Sequence, residues 1–218
     1  MDNTVAFRHK GDLLMIAGRP GMGKTSFALD IANQMAQNAK ENILIISLDE
    51  NKERIGERLQ RKTNGHTEYH NISIYDNSKM SVKDIETLAR KTENLGGIII
   101  DYLQLLSNTD QWSGNGMTWE LKYMAKCLNV PIICTSQVSA VCETRENKRP
   151  TLSDFRNEQI IELDFDQVLF LYRDHYYDSS TPVGDKAECI IVRNRHGACR
   201  TVNMLWNPQR LEFTVLDD

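Results

Sequence analysis

The apolar residues of this chain change period along its length, and the changes mark its elements. Leu13 to Ala17 is a short continuous apolar run, the pattern of a buried strand. After it, Phe27, Ala28, Ile31, Ala32 and Met35 recur at helical spacing and give one apolar face. Residues 43–48 form a second run, nearly all isoleucine and leucine. Such runs suit strands covered on both faces in a parallel sheet. The spacing predicts a helix over 52–62 with Ile55 and Leu59 inward, then a short strand over 72–75. Ser81, with Asp84 three residues on, reads as the cap of a helix reaching about Asn94, with Val82, Ile85 and Ala89 inward. Residues 97–101 are a hydrophobic strand ending on Asp101. The polar, glycine-bearing stretch 107–118 predicts a loop. Leu121, Met124, Ala125 and Leu128 then mark a helix, and 131–136 a strand that delivers Gln137 at its end. A second long polar loop follows over 139–151, then a helix over 153–163 and a strand over 167–172. The character changes near the end. Residues 187–193 and 201–206 are β-rich runs joined by Asn194-Arg195-His196-Gly197, a hairpin signal, and 211–215 adds a short strand. With no internal repeat and no linker, the expectation is a single α/β domain: a mostly parallel twisted sheet flanked by helices, with a hairpin-rich C-terminal end.

The candidate chemistry starts between the first strand and helix. Gly18, four residues, then Gly23-Lys24-Thr25 is the phosphate-loop pattern, in the strand–loop–helix context that gives it meaning. Its glycines let backbone N–H groups curl toward phosphate oxygens, and the positive end of the new helix adds to the attraction. The loop Gly18, Arg19, Pro20, Gly21, Met22, Gly23, Lys24, Thr25 and Ser26 is the expected nucleotide cradle. Lys24 would reach the β and γ phosphates, and Thr25 would hold Mg²⁺. Asp101, at the end of a buried strand, has the Walker B pattern of a carboxylate serving the same Mg²⁺. ATP or another nucleoside triphosphate, with Mg²⁺, is thus the expected ligand.

Composition narrows the setting. The 218 residues are 40% hydrophobic and 26% charged, with a formal net charge of −4. That balance does not exclude nucleic acid, because binding depends on a local basic patch. No apolar run reaches the ~18 residues of a membrane-spanning helix, and the charged opening lacks the form of a secretory signal. The five cysteines form no C-x-x-C pair, so buried reduced thiols and a cytoplasmic setting are expected.

Several stretches together carry a resemblance. They are Gly11-Asp12-Leu13, Ile100-Asp101-Tyr102-Leu103-Gln104-Leu105-Leu106, Ser136-Gln137, Lys148-Arg149-Pro150 with Leu152-Ser153-Asp154, Leu169-Phe170-Leu171-Tyr172-Arg173-Asp174 and Arg193-Asn194-Arg195. In this order, across residues 10–206, they resemble the C-terminal motor domain of DnaB-type replicative helicases. The resemblance implies a RecA-like P-loop NTPase core acting as a hexameric ring. It would hydrolyse NTP between subunits, move along single-stranded DNA and meet other replication proteins. It also implies roles for single residues. Gln137 stands at the γ-phosphate sensor. Arg58, nine residues past the family's catalytic acid, matches a nucleotide-contacting arginine. Arg193 and Arg195 match the basic pair that reaches the neighbouring subunit's γ-phosphate. The loops 107–118 and 139–151, the latter with Arg145, Lys148 and Arg149, match the DNA-gripping loops of the central channel.

The chain departs from the family pattern in three places. Where the family has Ser-Leu-Glu, this chain reads Ser47-Leu48-Asp49-Glu50. Asp49 aligns with the catalytic Glu but is one methylene shorter. Glu50 has the length but faces the other way on an extended backbone. Asp49 is the favoured base with Glu50 as substitute, and slow hydrolysis is expected. Arg156-Asn157-Glu158-Gln159 replaces Arg-Glu-Ser-Gly, adding a carboxylate near the channel loops. The family's N-terminal domain and linker helix have no counterpart here, so weaker ring assembly is expected. Two other readings stay open: a RecA-like ATPase of recombination or regulatory type, and a weakly hydrolysing nucleotide-binding module that interacts with a helicase ring.

Overall fold

The computed structural model describes residues 9–37, 41–62, 71–107, 116–155, 162–180 and 184–216. One nine-stranded sheet organises them: β1 (Leu13–Gly18), β2 (Asn42–Ser47), β3 (Ile72–Tyr75), β4 (Leu95–Asp101), β5 (Ile132–Gln137), β6 (Gln167–Tyr172), β7 (Lys186–Asn194), β8 (Arg200–Asn207) and β9 (Glu212–Val215), in the order β3-β2-β4-β5-β1-β6-β7-β8-β9. The first six strands are parallel and the last three run antiparallel.

The helices α1 (Lys24–Ala36), α2 (Lys52–Lys62), α3 (Val82–Lys91) and α4 (Met117–Leu128) cover the parallel part. Alternate residues of each strand meet different layers. Leu13, Met15 and Ala17 pack with Ile85 of α3 and Leu121 and Met124 of α4. Leu14 and Ile16 pack with Phe27 and Ile31 of α1 and Ile55 and Leu59 of α2. This double covering is why the strands are continuous apolar runs rather than alternating ones. Where only one face of the sheet is covered, alternation returns: in β8, Val202, Met204 and Trp206 are buried in the α1–α2 layer while Thr201, Asn203 and Leu205 are exposed.

Three expectations change. The helix after Ser81 does have the capping box, but it ends at Lys91, with Thr92 extended and Asn94 in the left-handed region. The helix expected over 153–163 does not run from Ser153: Leu152–Asp154 is one 3-10 turn and Phe155 is extended. Thr151 caps that turn and Asp154 folds back on the Thr151 amide, a local bonding pattern that competes with helix. Residues 156–161, including the Arg156–Gln159 departure, lie outside the described residues, as do 108–115 of the first polar loop. That loop closes early, since Met117 and Thr118 already belong to α4 and are buried. Three cysteines, Cys134, Cys142 and Cys189, are buried, whereas Cys127 and Cys199 are exposed thiols. Among the described residues no helix is long and apolar enough to cross a membrane.

One polar clasp inside the α1–α2 layer has no signature in the hydrophobic pattern. Lys62, at the end of α2, is buried and donates to Asp30 of α1 at 2.6 Å. Lys62 also donates to the Leu211 carbonyl, and the Phe213 amide donates to Asp30 at 3.2 Å. Burial pushes the Asp30 carboxyl up to about 6 and the Lys62 ammonium down, each held partly in its charged form by the other. Removing one member strands the other's charge. Lys62→Met is therefore expected to cost about 3–5 kcal/mol of stability by chemical denaturation. Adding Asp30→Asn should recover part of that loss, because the amide still accepts from Phe213 without a buried charge.

Candidate active site

The strands β1, β2, β4 and β5 end together, with Gly18 beside Gln137 and Ser47 beside Asp101. The loop between β1 and α1 turns over these ends. Gly21 and Gly23 adopt φ of 78° and 93°, which side-chain-bearing residues reach only with strain. A Cβ on Gly23 would also lie 2.6 Å from the Phe213 ring, so the loop lies close against β9. The first amides of α1 have no intrahelical carbonyl to donate to. They open onto a cavity of about 300 Å³ lined by Lys24, Thr25, Asp101 and Gln137, with Asp49, Glu50 and Arg58 on one side.

The centre of the cavity is a carboxylate. Asp101 is 5% exposed. It accepts from the Thr25 hydroxyl at 2.8 Å and from the Thr135 hydroxyl. Burial raises its carboxyl above the ordinary range, against those hydrogen bonds and the nearby Lys24 ammonium. The Lys24 ammonium donates to the Arg19 carbonyl at 3.0 Å, and burial lowers it to about 8. Hydroxyl and carboxylate oxygens beside a lysine at a helix start make a set of hard oxygen donors suited to Mg²⁺.

Not every expected residue faces the cavity. Pro20, Gly21, Gly23 and Ser26 line it, but Gly18, Arg19 and Met22 do not. Met22 packs in the core, and the Arg19 guanidinium turns toward Val138 and Glu143. β2 ends at Ser47 and the chain bends over residues 48–50, where the two acids take different positions. Asp49 is exposed on the rim, while Glu50 is bridged to Arg58 by two bonds of 2.8 and 2.6 Å. Arg58 lines the cavity and is paired with an acid of its own chain.

The basic residues elsewhere are engaged as well. Arg193 donates to the Phe165 carbonyl at 2.7 Å, and Arg195 pairs with buried Asp166 at 2.9 Å. Both stand at the amino end of β1 and β6, since Asn194 pairs with Gln167 and Gln167 with Leu14. Four strand positions separate Leu14 from Gly18, roughly 13 Å along the strand. Neither arginine lines its own chain's cavity. In the second polar loop, Arg145 is bidentate to Asp154, Arg149 is bidentate to Glu188 and lies over Tyr172, and Lys148 lies over Tyr177.

Gln104, Tyr102, Trp206 and Leu211 also shape the site, beyond the residues that the sequence motifs single out. Gln104 donates to the Gln137 carbonyl and the Ser136 hydroxyl, and its own carbonyl accepts the Gln137 amide, so it fixes the end of β5. A signal existed, because Gln104 lies three residues past Asp101 in the quoted motif. Tyr102 follows Asp101 directly and lines the cavity; Trp206 and Leu211 form its apolar wall from a distant part of the chain, and no local pattern announces them.

Comparison with known proteins places this geometry. The family described as DnaB-like helicase C terminal domain matches residues 1–65 and 59–215. The replicative DNA helicase DnaC of Bacillus subtilis (strain 168) is 34% identical over 250 residues, covering 100% of this chain and 55% of that protein. The chain therefore spans about half the length of such relatives. A DnaB-like replicative helicase, solved in a study of its interactions with primase, superposes with a TM-score of 0.85 at 30% identity, covering 96% of this chain and 58% of that one. A KaiC-like protein of Pyrococcus horikoshii OT3, at 15% identity and TM-score 0.69 over 95% of this chain and 90% of that one, shares the RecA-like ATPase fold alone. This chain belongs to the DnaB-like helicase C-terminal domain family.

Proposed function

We propose that this chain is the motor domain of a replicative helicase, a single RecA-like domain that hydrolyses NTP between subunits of a ring and moves along single-stranded DNA. The observation that carries the reading is the Thr25–Asp101 contact at the start of α1, beside Lys24 and opposite Gln137. In this reading the loop amides and Lys24 hold the β and γ phosphates, and Thr25 and Asp101 hold Mg²⁺. That ion supplies neutralisation of charge on the phosphate oxygens. Gln137, held by Gln104, faces the terminal phosphate. The paired orientation of Glu50 and the rim position of Asp49 support Asp49 as the acid free to orient water, with Glu50 available once Arg58 turns to nucleotide.

The placement of Arg193 and Arg195 supports a site shared between subunits. They lie at the far end of the sheet from their own cavity, so they serve catalysis only in a neighbouring copy. Arg195, with its side chain 54% exposed, is the freer of the two. A weakly hydrolysing nucleotide-binding module is the second reading. The Glu50–Arg58 bridge and the paired state of Arg145 and Arg149 favour it, because they hold an acid and two phosphate-binding cations in internal contacts.

ATP hydrolysis measured against protein concentration, with and without single-stranded DNA, tests the reading. A per-subunit rate that climbs with concentration and rises again with DNA supports a shared-site motor. A flat, DNA-indifferent rate overturns it in favour of the binding module. Lys24→Ala should reduce hydrolysis to background, and surviving activity would remove the phosphate-loop assignment. Arg195→Ala should lower assembly-dependent turnover by about 10³-fold while nucleotide binding persists. The lowered Lys24 ammonium makes a further prediction about protons. An anion beside it favours the charged form, so tripolyphosphate added without divalent metal should take up a proton above about pH 8. Affinity should be level below that pH and fall by up to about tenfold per unit above it. Calorimetry in buffers of different ionisation enthalpy reads both effects.

A further inference from the structure

We infer that Arg19 and Glu143 form a relay through which occupancy of the phosphate loop sets the grip of loop 139–151 on DNA. The inference rests on the reading of those two loops given above.

Arg19 is the one side chain of residues 18–26 shown to donate into the segment after β5. Its Nε donates to Glu143 Oε1 at 3.0 Å and its Nη1 to the Val138 carbonyl at 3.0 Å. Its own carbonyl meanwhile holds the Lys24 ammonium at 3.0 Å. One residue thus touches the cation that phosphate would attract and the loop that would meet DNA. Drawing Lys24 toward phosphate removes one of the two donors on that carbonyl and leaves the Met22 amide at 3.3 Å, at the residue whose guanidinium anchors the loop.

Glu143 passes the connection on. Its Oε1 also accepts from the Tyr177 hydroxyl at 3.2 Å, and Lys148 lies 4.8 Å above the Tyr177 ring. Arg19 holds the Glu143 carboxyl below the ordinary carboxylate range, and Glu143 raises the guanidinium in turn, so both stay charged at neutral pH. The adjacent tyrosine closes the link from the other side: a Cβ at Gly21 would fall 2.5 Å from the Tyr176 ring. Glu143 itself does not line the cavity, which makes it a positioning residue that can be changed alone.

Coupling between two sites is reciprocal and commonly about 5- to 150-fold in affinity. The experiment measures the dissociation constant of a fluorescent oligothymidylate in ADP and in a non-hydrolysable ATP analogue, for the intact chain and for Glu143→Gln, Glu143→Asp and Tyr177→Phe. Removing a negative charge strengthens DNA binding in both nucleotide states alike, so the ratio between states is the readout. The intact chain should show a ratio of about fivefold or more. Glu143→Gln should bring it to near unity with DNA-free hydrolysis and analogue affinity kept, and Glu143→Asp should restore part of it. Tyr177→Phe should lower the ratio by less than Glu143→Gln does. A wild-type ratio retained in Glu143→Gln overturns the relay and leaves the motor reading standing. So does loss of analogue affinity in that variant, which would make the pair a support of the cavity. An intact chain that hydrolyses ATP and binds DNA with no difference between states also overturns the relay. One that does neither overturns the motor reading itself.

Discussion

A carboxylate enclosed by protein must be given partners or it gives up its charge, and Asp101 is such a group. Its two oxygens accept from Thr25 at the head of α1 and from Thr135 in β5, so three elements distant in sequence converge on one residue. The double covering of the sheet creates the need. With apolar layers on both faces, the polar groups of the strands gather at the strand ends, and the carboxyl edge is where β1, β4 and β5 release their last residues. Lys24 shares this constraint: it too is enclosed, and its ammonium is held by a backbone carbonyl. An acid and a base that both resist full enclosure, side by side in one cavity, make a surface with an affinity for an anion and a cation together.

Much of this was legible in the sequence, for physical reasons that differ by element. Fully covered strands are written as near-continuous apolar runs, so 43–47 and 167–172 declared themselves. The phosphate loop was legible because its glycines answer a backbone need that few other residues meet. The turn at 194–197 was legible for a similar reason, and the exposed alternation of β8 followed the period-two rule. The helix expected over 153–163 failed at its start because Thr151 and Asp154 bond the local backbone instead, a choice that apolar spacing does not record. The polar clasp of Asp30 and Lys62 was invisible for the complementary reason: a lysine on an amphipathic helix reads as solvated until its partner on another helix is known. The sequence pattern puts Arg19 in the phosphate loop, but only the fold reveals that its guanidinium reaches Glu143 and Val138 in the neighbouring loop.

The two ends of the sheet carry opposite chemistry. The carboxyl edge gathers Asp49, Glu50 and Asp101 around the half-buried Lys24 with Arg58 beside them, whereas the amino edge presents Arg193, Arg195 and His196. His196 meets Asp12, and Arg195 meets Asp166, so the basic edge is held by acids of its own chain. A head-to-tail neighbour would bring the unlike edges together, and heterologous contacts of that kind close into rings when the rotation permits. Internal pairing of the arginines works against that association, since Arg195 would exchange Asp166 for the charge of a ligand across the interface.

The clasp between Asp30, Lys62 and β9 also bears on how the chain reaches its final state. Phe213 and Leu211 are bonded to residues 183 and 149 positions earlier, and Leu211 lines the same cavity as the phosphate loop. A chain emerging from the ribosome makes the loop long before the wall, and long-range contacts of this kind form late. The loop would therefore pass through synthesis with one side of its cavity open, its glycine turn awaiting the strand against which it packs. Arrival of β9, more than formation of the first strand and helix, is the event that gives the glycine turn the far wall of its cavity.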